Sequence, residues 1–378
     1  MSTLKIGVIG LGLRSRLITE FKEKDVVEIV AVADLERAKL DAFGDAFNTT
    51  DHRELLARKE IEAVFVITQD HQHEDVAVAA LEAGKAVYLE KPMAITVEGC
   101  DRILEAAYRT GSKLFVGHNM RYMPFVLKMK ELIDSGAIGK VKAVWCRHFI
   151  NYGGTYFHHW CSERKNSNGL LLQKGAHDLD VIHWLAGGYT KRVVGMGMLS
   201  VYDQCGRRGA DEPNDRDEAW RASSWPPAEQ KKLSPNIDIE DHNMVMLQLE
   251  NGVQATYTQC HYAPDAERNY TFIGDRGRLE SVEEKEIHVW TSRGQAPDSI
   301  HRLRALDGSH GGSDSLIVKA FAAFVKDGVA PNTSPVAARQ AVAAGALGHE
   351  SMRNGNVPKD IPPLPNHLVE YFNQGQVK

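Results

Sequence analysis

Between Gly169 and Leu185 the chain reads GLLLQKGAHDLDVIHWL. Taken as a helix, Leu172, Ala176, Leu179 and Ile182 recur at intervals of three and four and form a core-facing stripe. Gln173, His177, Asp180 and Trp184 follow one another on a different face, with Lys174 beside them. A solvated surface is the ordinary reading of such a row. Tryptophan is a poor choice for water, however, and an imidazole among an amide, an ammonium and carboxylates has neighbours that tune its proton affinity. This face is expected to line a pocket.

A second group of residues suits a nucleotide. Leu4–Ile9 is a short buried-strand pattern that runs into Gly10-Leu-Gly12-Leu13-Arg14-Ser15, a dinucleotide fingerprint with Ser in its third small position. Gly10 permits the tight turn, and Gly12 lets a pyrophosphate approach the backbone at a helix N-terminus, whose free N–H groups and dipole favour an anion. The strand pattern of Glu28–Ala33 ends on Asp34. A carboxylate there accepts bonds from the adenosine ribose and repels a 2′-phosphate, so NAD is expected over NADP. Arg37 is a nearby cation that keeps NADP open as the less favoured cofactor.

These residues need a scaffold, and the pattern supplies one. After Asp51, a helix cap, come strands at Glu62–Ile67, Ala86–Leu89 and Lys113–Gly117, alternating with helices at His73–Ala83 and Val97–Arg109. Such alternation predicts an α/β Rossmann domain, a doubly wound parallel sheet with ligands at the carboxyl ends of its strands. Three polar segments leave those ends: Thr68–His73, Glu90–Pro92 and Asn119–Tyr122. From Val141 the pattern changes to strands without regular helices between them. They are Val141–Phe149, Arg192–Ser200, Asn243–Glu250, Val253–Cys260, Tyr270–Ile273, Arg278–Ser281 and Glu286–Trp290, with a hairpin signal at Asn251-Gly252. An α+β C-terminal domain with an open, largely antiparallel sheet is expected, entered by a helix at Pro124–Ser135. Gln204–Asp238 reads as a long loop and candidate lid. Helices near Ser313–Lys326 and Pro335–Arg353 finish the fold, and IPPLPNHLVEYF reads as an extended tail.

Composition narrows the class. With 378 residues, 43% hydrophobic and 25% charged, the chain is that of a soluble two-domain protein. No run approaches the roughly 18 apolar residues of a membrane span. A formal charge of -5 with scattered basic residues argues against a nucleic-acid surface. Five widely spaced cysteines and no visible signal peptide point to reduced thiols in the cytoplasm.

The stretches IGLGLRS (Ile9–Ser15), EKPMAIT (Glu90–Thr96), HNMRYMP (His118–Pro124) and GAHDLD (Gly175–Asp180) together resemble the glucose–fructose oxidoreductase, inositol dehydrogenase and MocA (Gfo/Idh/MocA) family, over nearly the whole chain. The resemblance implies a Rossmann domain, taken as 1–122, and a substrate-binding and oligomerisation domain, taken as 123–378. It implies oxidation or reduction of a secondary alcohol on a sugar, glycoside or inositol with NAD(P), in a homo-oligomer (dimer or tetramer) built through the C-terminal sheet. Lys91 is then the catalytic lysine and His177 the catalytic or substrate-orienting histidine. Glu90 is placed at the nicotinamide ribose, Thr68 and His73 in the cofactor-side loop, and Arg121 at the substrate. A cis Lys91–Pro92 peptide is expected.

Many members carry Asp four residues before the histidine, where this chain has Gln173. An amide orients a hydroxyl but cannot take its proton, so proton chemistry falls on Lys91 and His177, with Lys174 as a further candidate. YFHHWCSER (Tyr156–Arg164) looks like a branch acting on glycosides or pyranoses, in which Tyr156, His159 and Trp160 suit a sugar. A surface pair remains the other reading of His158 and His159. No metal is expected: His177, Asp178, Asp180 and His183 diverge on one helix, and hydride transfer needs none. Two alternatives stay open, an NAD-retaining glycoside hydrolase or lyase acting by transient sugar oxidation, and a non-catalytic NAD-binding regulator.

Overall fold

The computed structural model describes residues 3–19, 21–213, 225–304 and 309–377. Two compact units emerge. One comprises Met1–Met123, Leu306–Arg339 and Pro363–Lys378, and the other Pro124–Ala305 and Gln340–Pro362.

In the first unit the described strands are β1 (Leu4–Ile9), β2 (Val27–Ala33), β3 (Phe47–Thr49), β4 (Ala63–Val66), β5 (Ala86–Leu89) and β6 (Leu114–Val116). They pair in parallel in the order β3-β2-β1-β4-β5-β6. Near-continuous apolar runs such as AVFV and AVYL are buried on both faces, as a sheet with helices on each side requires. The strand order reverses between β1 and β4, the switch point where such sheets bind ligands. Thr96 ends the EKPMAIT stretch as a helix cap: its hydroxyl accepts from Gly99 N at 3.0 Å and starts the Val97–Thr110 helix.

Two features of this unit differ from the sequence expectation. The Ser313–Asp327 helix, read as part of the second domain, buries Ile317, Phe321 and Phe324 in the same core as Phe65, Tyr88 and Phe115. Phe321 stands edge-on to Phe65 at 5.2 Å. Periodicity reveals an amphipathic helix but not the sheet it covers. The tail read as extended forms a helix over Asn366–Asn373, which begins directly after Pro365 and buries Leu368, Tyr371 and Phe372. Proline excludes the helix interior, not the residue ahead of its first turn. Beyond the helix, the Gln376 amide accepts from Leu114 N at 2.8 Å and donates to Leu114 O at 2.7 Å, pairing the edge of β6.

In the second unit the described strands are β7 (Val141–Phe149), β8 (Thr190–Met198), β9 (His242–Leu249), β10 (Gln254–Cys260), β11 (Glu267–Gly274), β12 (Arg278–Val282), β13 (Glu286–Trp290), β14 (Ser299–Arg302) and β15 (Lys359–Asp360). Their order is β14-β13-β12-β11-β7-β10-β9-β8-β15; β7 and β10 run parallel and the other neighbours antiparallel. The Asn251-Gly252 turn joins β9 to β10 as its residues predict. Helices Pro124–Asp134 and Ala176–Ala186 pack on the sheet. Of the expected lid, Cys205 and Leu233 belong to a buried cluster with Phe157, Leu170, Tyr202 and Ile239, while 214–224 lie outside the described residues. Among the described residues no helix is long and apolar enough to cross a membrane.

Candidate active site

The nucleotide half is built on the first unit. Gly10 adopts φ +93°, and a side chain there would meet Ile67 O at 2.6 Å, so only glycine fits this turn. Above Gly12 there is open space, with no atom within 4 Å of where a Cβ would stand. A pyrophosphate fits that opening, ahead of the Leu13–Ser15 turn. At the end of β2 the Asp34 carboxylate accepts from Leu11 N at 2.6 Å and from Glu36 N at 2.8 Å. Lys39 Nζ also stands 3.5 Å from Oδ1, and Oδ2 keeps a lone pair for a ribose hydroxyl. Arg37 follows, exposed. Asp34→Ser is expected to bring kcat/KM with NADP toward that with NAD, measured side by side; a wild type clearly better with NADP would contradict this role for Asp34.

Leu13 is exposed on the loop, whereas Arg14 is tied down. Its Nε donates to Glu90 Oε1 at 2.7 Å, and Nη1 and Nη2 grip Asp314 at 2.7 and 2.9 Å in a bidentate pair. Asp314 also accepts from Asn119 Nδ2 at 3.1 Å. Arg14 thus links the glycine loop to the EKP turn. Glu90 Oε2 accepts from Lys91 N at 3.0 Å, and the Lys91–Pro92 peptide is cis.

His73, expected at the cofactor, is buried between two backbone carbonyls, Pro92 O at 2.7 Å and Thr68 O at 3.2 Å. Burial lowers its pKa, and a neutral ring donates to one of the two. Its place is to tie the EKP turn to the Thr68 loop. Asp70, on that loop, was not singled out by the sequence. Burial drives its carboxyl well above the usual range, opposed by Lys91 and reinforced by Glu90. Arg121 is buried, with Nη1 donating to Asn332 O at 2.6 Å.

The other residues expected at the substrate lie on the second unit. The stretch read as one helix is two, Leu170–Gln173 and Ala176–Ala186. Gly175 N reaches back five residues to Leu170 O at 3.1 Å, a widened turn of the kind found at functional sites. A side chain at Gly175 would strike Leu171 O at 2.3 Å and Tyr257 at 2.8 Å. The extra residue in this turn shifts Gln173 and Lys174 out of the regular row with His177. That row does not form one pocket face: Asp180 is buried, and Trp184 lies under the Lys130 ammonium at 5.7 Å. His177 occupies the first turn of its helix with 8% exposure.

The neighbouring Asp178 anchors that turn. It is 0% exposed and accepts from Tyr257 Oη at 3.0 Å and from Tyr270 Oη, with Arg268 Nε at 3.0 Å. Burial alone would raise this carboxyl, but Arg268, with His148 and the Tyr270 hydroxyl, holds it well below the usual range. Lys174 Nζ donates to Tyr152 Oη at 2.9 Å. Burial works against its charge, yet the Tyr156 and Tyr152 phenols raise its pKa, so Lys174 is not the spare base that its position suggested. Tyr156 joins this group, with its ring 6.4 Å from that of Tyr152. His159 and Trp160 line a cavity of about 220 Å³ with Arg208 and Asn236. His158 is buried, so the surface-pair reading of the two histidines does not hold. Among the helix residues weighed as metal ligands, Asp178 is engaged as above and His183 Nε2 meets Thr190 Oγ1 at 2.7 Å.

Comparison with known proteins follows the same division. The family model described as "Oxidoreductase family, NAD-binding Rossmann fold" matches residues 4–118, and the GFO/IDH/MocA C-terminal domain model matches residues 126–280. The oxidoreductase YteT of Bacillus subtilis is 26% identical over 73% of this chain and 74% of its own. Inositol 2-dehydrogenase of Salmonella typhimurium is 34% identical over 48% of this chain, and the match spans 54% of that enzyme. Levoglucosan dehydrogenase, solved with NADH and levoglucosan, superposes with TM-score 0.77 at 20% identity over 96% of this chain and all of its own, a likeness of fold.

Proposed function

Because the chain belongs to the Gfo/Idh/MocA oxidoreductase family, with an NAD-binding Rossmann domain, we propose that it transfers hydride between NAD and a secondary alcohol of a sugar, glycoside or inositol. The observation that carries this proposal is the EKP turn. In one unit it places Lys91 at the end of β5, joined through Glu90 and Arg14 to the glycine loop whose opening suits a pyrophosphate. The names of the relatives, inositol 2-dehydrogenase and levoglucosan dehydrogenase, support a polyol or sugar substrate.

NAD, when bound, supplies the hydride acceptor. Gly10, Gly12, Leu13 and Arg14 would hold its pyrophosphate side, Asp34 the adenosine ribose, and Thr68, His73 and Glu90 the loops around its nicotinamide end. Lys91 and His177 bind the reacting hydroxyl and move its proton. Gln173 orients the hydroxyl without titrating, and Arg121, Tyr156, His159, Trp160 and Lys174 complete the substrate contacts. Gln173→Asp is expected to be tolerated and to shift the pH profile of kcat; a profile identical to wild type would count against an amide at the proton path.

We place the enzyme in the cytoplasm as a homo-oligomer. None of its five cysteines is in a disulfide. On the sheet of the second unit, exposed Met196 pairs with exposed Met244, and exposed Met246 and Trp145 both pair with Thr256. Such an apolar face suits a second copy.

The test is an absorbance screen for NADH over inositols, aldoses and glycosides, with the supernatant of the denatured protein assayed for NAD. Net NADH formation is expected. Product without NADH, from a protein that retains NAD, would mark elimination instead. No turnover of any secondary alcohol would contradict the proposal.

A further inference from the structure

Two cations stand close together in the second unit, and they are treated differently. Arg268 is matched by carboxylates, Asp178 at 3.0 Å and Glu284 at 3.4 Å. Lys174 is matched by no carboxylate among the described residues; its partner is the Tyr152 hydroxyl at 2.9 Å, whose pKa burial raises and the ammonium brings down. The lysine is half-buried, as are Tyr152 and Tyr156, so the group is enclosed yet reachable. An enclosed ammonium without a counter-ion is costly unless something supplies one.

The surroundings point to what supplies it. His261 is 0% exposed, and neither ring nitrogen has a hydrogen-bond partner among the described residues. Its ring stands edge-on to Tyr156 at 5.3 Å. Burial, with His148 and Lys174 nearby, keeps it neutral, so it offers one N–H. His148 is held neutral too, burial and Arg268 taking it down to about 3. The charged and titratable groups around Tyr152 are Lys174, Arg268, Glu284 and Tyr156. Glu284 is taken by Arg268. What remains is a set of donors: an ammonium, two phenolic hydroxyls and an imidazole N–H. A carboxylate, which only accepts, complements such a set.

We propose that Lys174, Tyr152, Tyr156 and His261 form an anion subsite that takes a carboxylate of the substrate, so that the enzyme acts on acidic sugars or polyols. This rests on the dehydrogenase assignment above and names the class of substrate within it. Lys174 and Tyr152 determine specificity in this scheme, and the reacting hydroxyl stays with Lys91 and His177.

A hexuronate, its methyl ester and the parent neutral hexose separate these ideas. NADH formation gives kcat and KM for each, and calorimetry on the NAD-loaded protein gives hexuronate binding without turnover. The acid is expected to exceed the ester at least about tenfold in kcat/KM, chiefly through KM. Lys174→Met should remove most of that preference and bring the ratio toward one. Tyr152→Phe, which keeps the ring, should cut it less. Equal use of acid and ester by the wild type, or a ratio unmoved by Lys174→Met, overturns the subsite.

Neutral sugars oxidised without Lys174-dependent hexuronate binding would overturn the subsite and leave the dehydrogenase assignment standing. Lys174-dependent hexuronate binding without oxidation of any secondary alcohol would do the reverse. An ultraviolet difference spectrum between wild type and Tyr152→Phe showing a phenolate at neutral pH would give the ammonium its own counter-charge and would also overturn the subsite.

Discussion

Lys91→Met is expected to lower kcat by at least about 10² while changing NAD affinity far less. Methionine keeps a similar apolar stem and removes only the ammonium. The turn itself does not rest on that ammonium: Glu90 is held by the Arg14 guanidinium and by the backbone N–H of residue 91, and Pro92 O by His73. Of the groups proposed for the cofactor, Gly12 and Asp34 belong to other strand ends, and Glu90 keeps its Arg14 partner in the variant. His177→Asn should act in the same direction, since it keeps a hydrogen bond and loses the titrating ring. Near wild-type turnover of the true substrate by Lys91→Met would mean that the EKP segment only shapes its loop. Stopped-flow measurement of NADH formation, with NAD binding followed separately, reads both quantities.

The second large effect is on stability. Asp178→Ala removes the carboxylate that meets Arg268, Tyr257 and Tyr270 and strands a buried guanidinium. Breaking such a buried pair typically costs about 3–5 kcal/mol. Denaturant unfolding should show a loss of this size, and activity should fall with it because the next residue back is His177. Asp178→Asn retains one acceptor and should cost less. The pH dependence has a definite sign. The folded carboxyl lies below its unfolded value, so its contribution is complete above about pH 5 and is lost as pH falls below about 4. Wild type should therefore lose stability over that range more steeply than Asp178→Ala. Equal stability of the two proteins at neutral pH would show that Arg268 finds another partner, and that the network does not hold the turn.

Much of this architecture can be read from the chain alone, for identifiable reasons. The parallel sheet announces itself through short apolar runs and a glycine loop, and the second sheet through period-two alternation and Asn251-Gly252. What eludes sequence reading depends on distant partners. Asp178 meets Tyr257 and Tyr270 from 79 and 92 residues away, and Arg14 meets Asp314 across 300. No local spacing encodes those pairs. The widened turn at Gly175 is hidden differently: one glycine in an otherwise helical pattern is common, and only the contact with Tyr257 shows why the helix yields there. Tyr152 and His261 carry no motif at all. Their interest comes from Lys174 and Tyr156, which the fold brings beside them.

The claim at the centre is that hydride passes from the carbinol carbon of the substrate to the nicotinamide. It is tested most directly with a substrate carrying deuterium at that carbon. NADH recovered after a single turnover should carry the deuterium, as mass spectrometry will show. Unlabelled NADH, or product formed with the label lost to water, would contradict direct transfer and with it the roles given to Lys91 and His177.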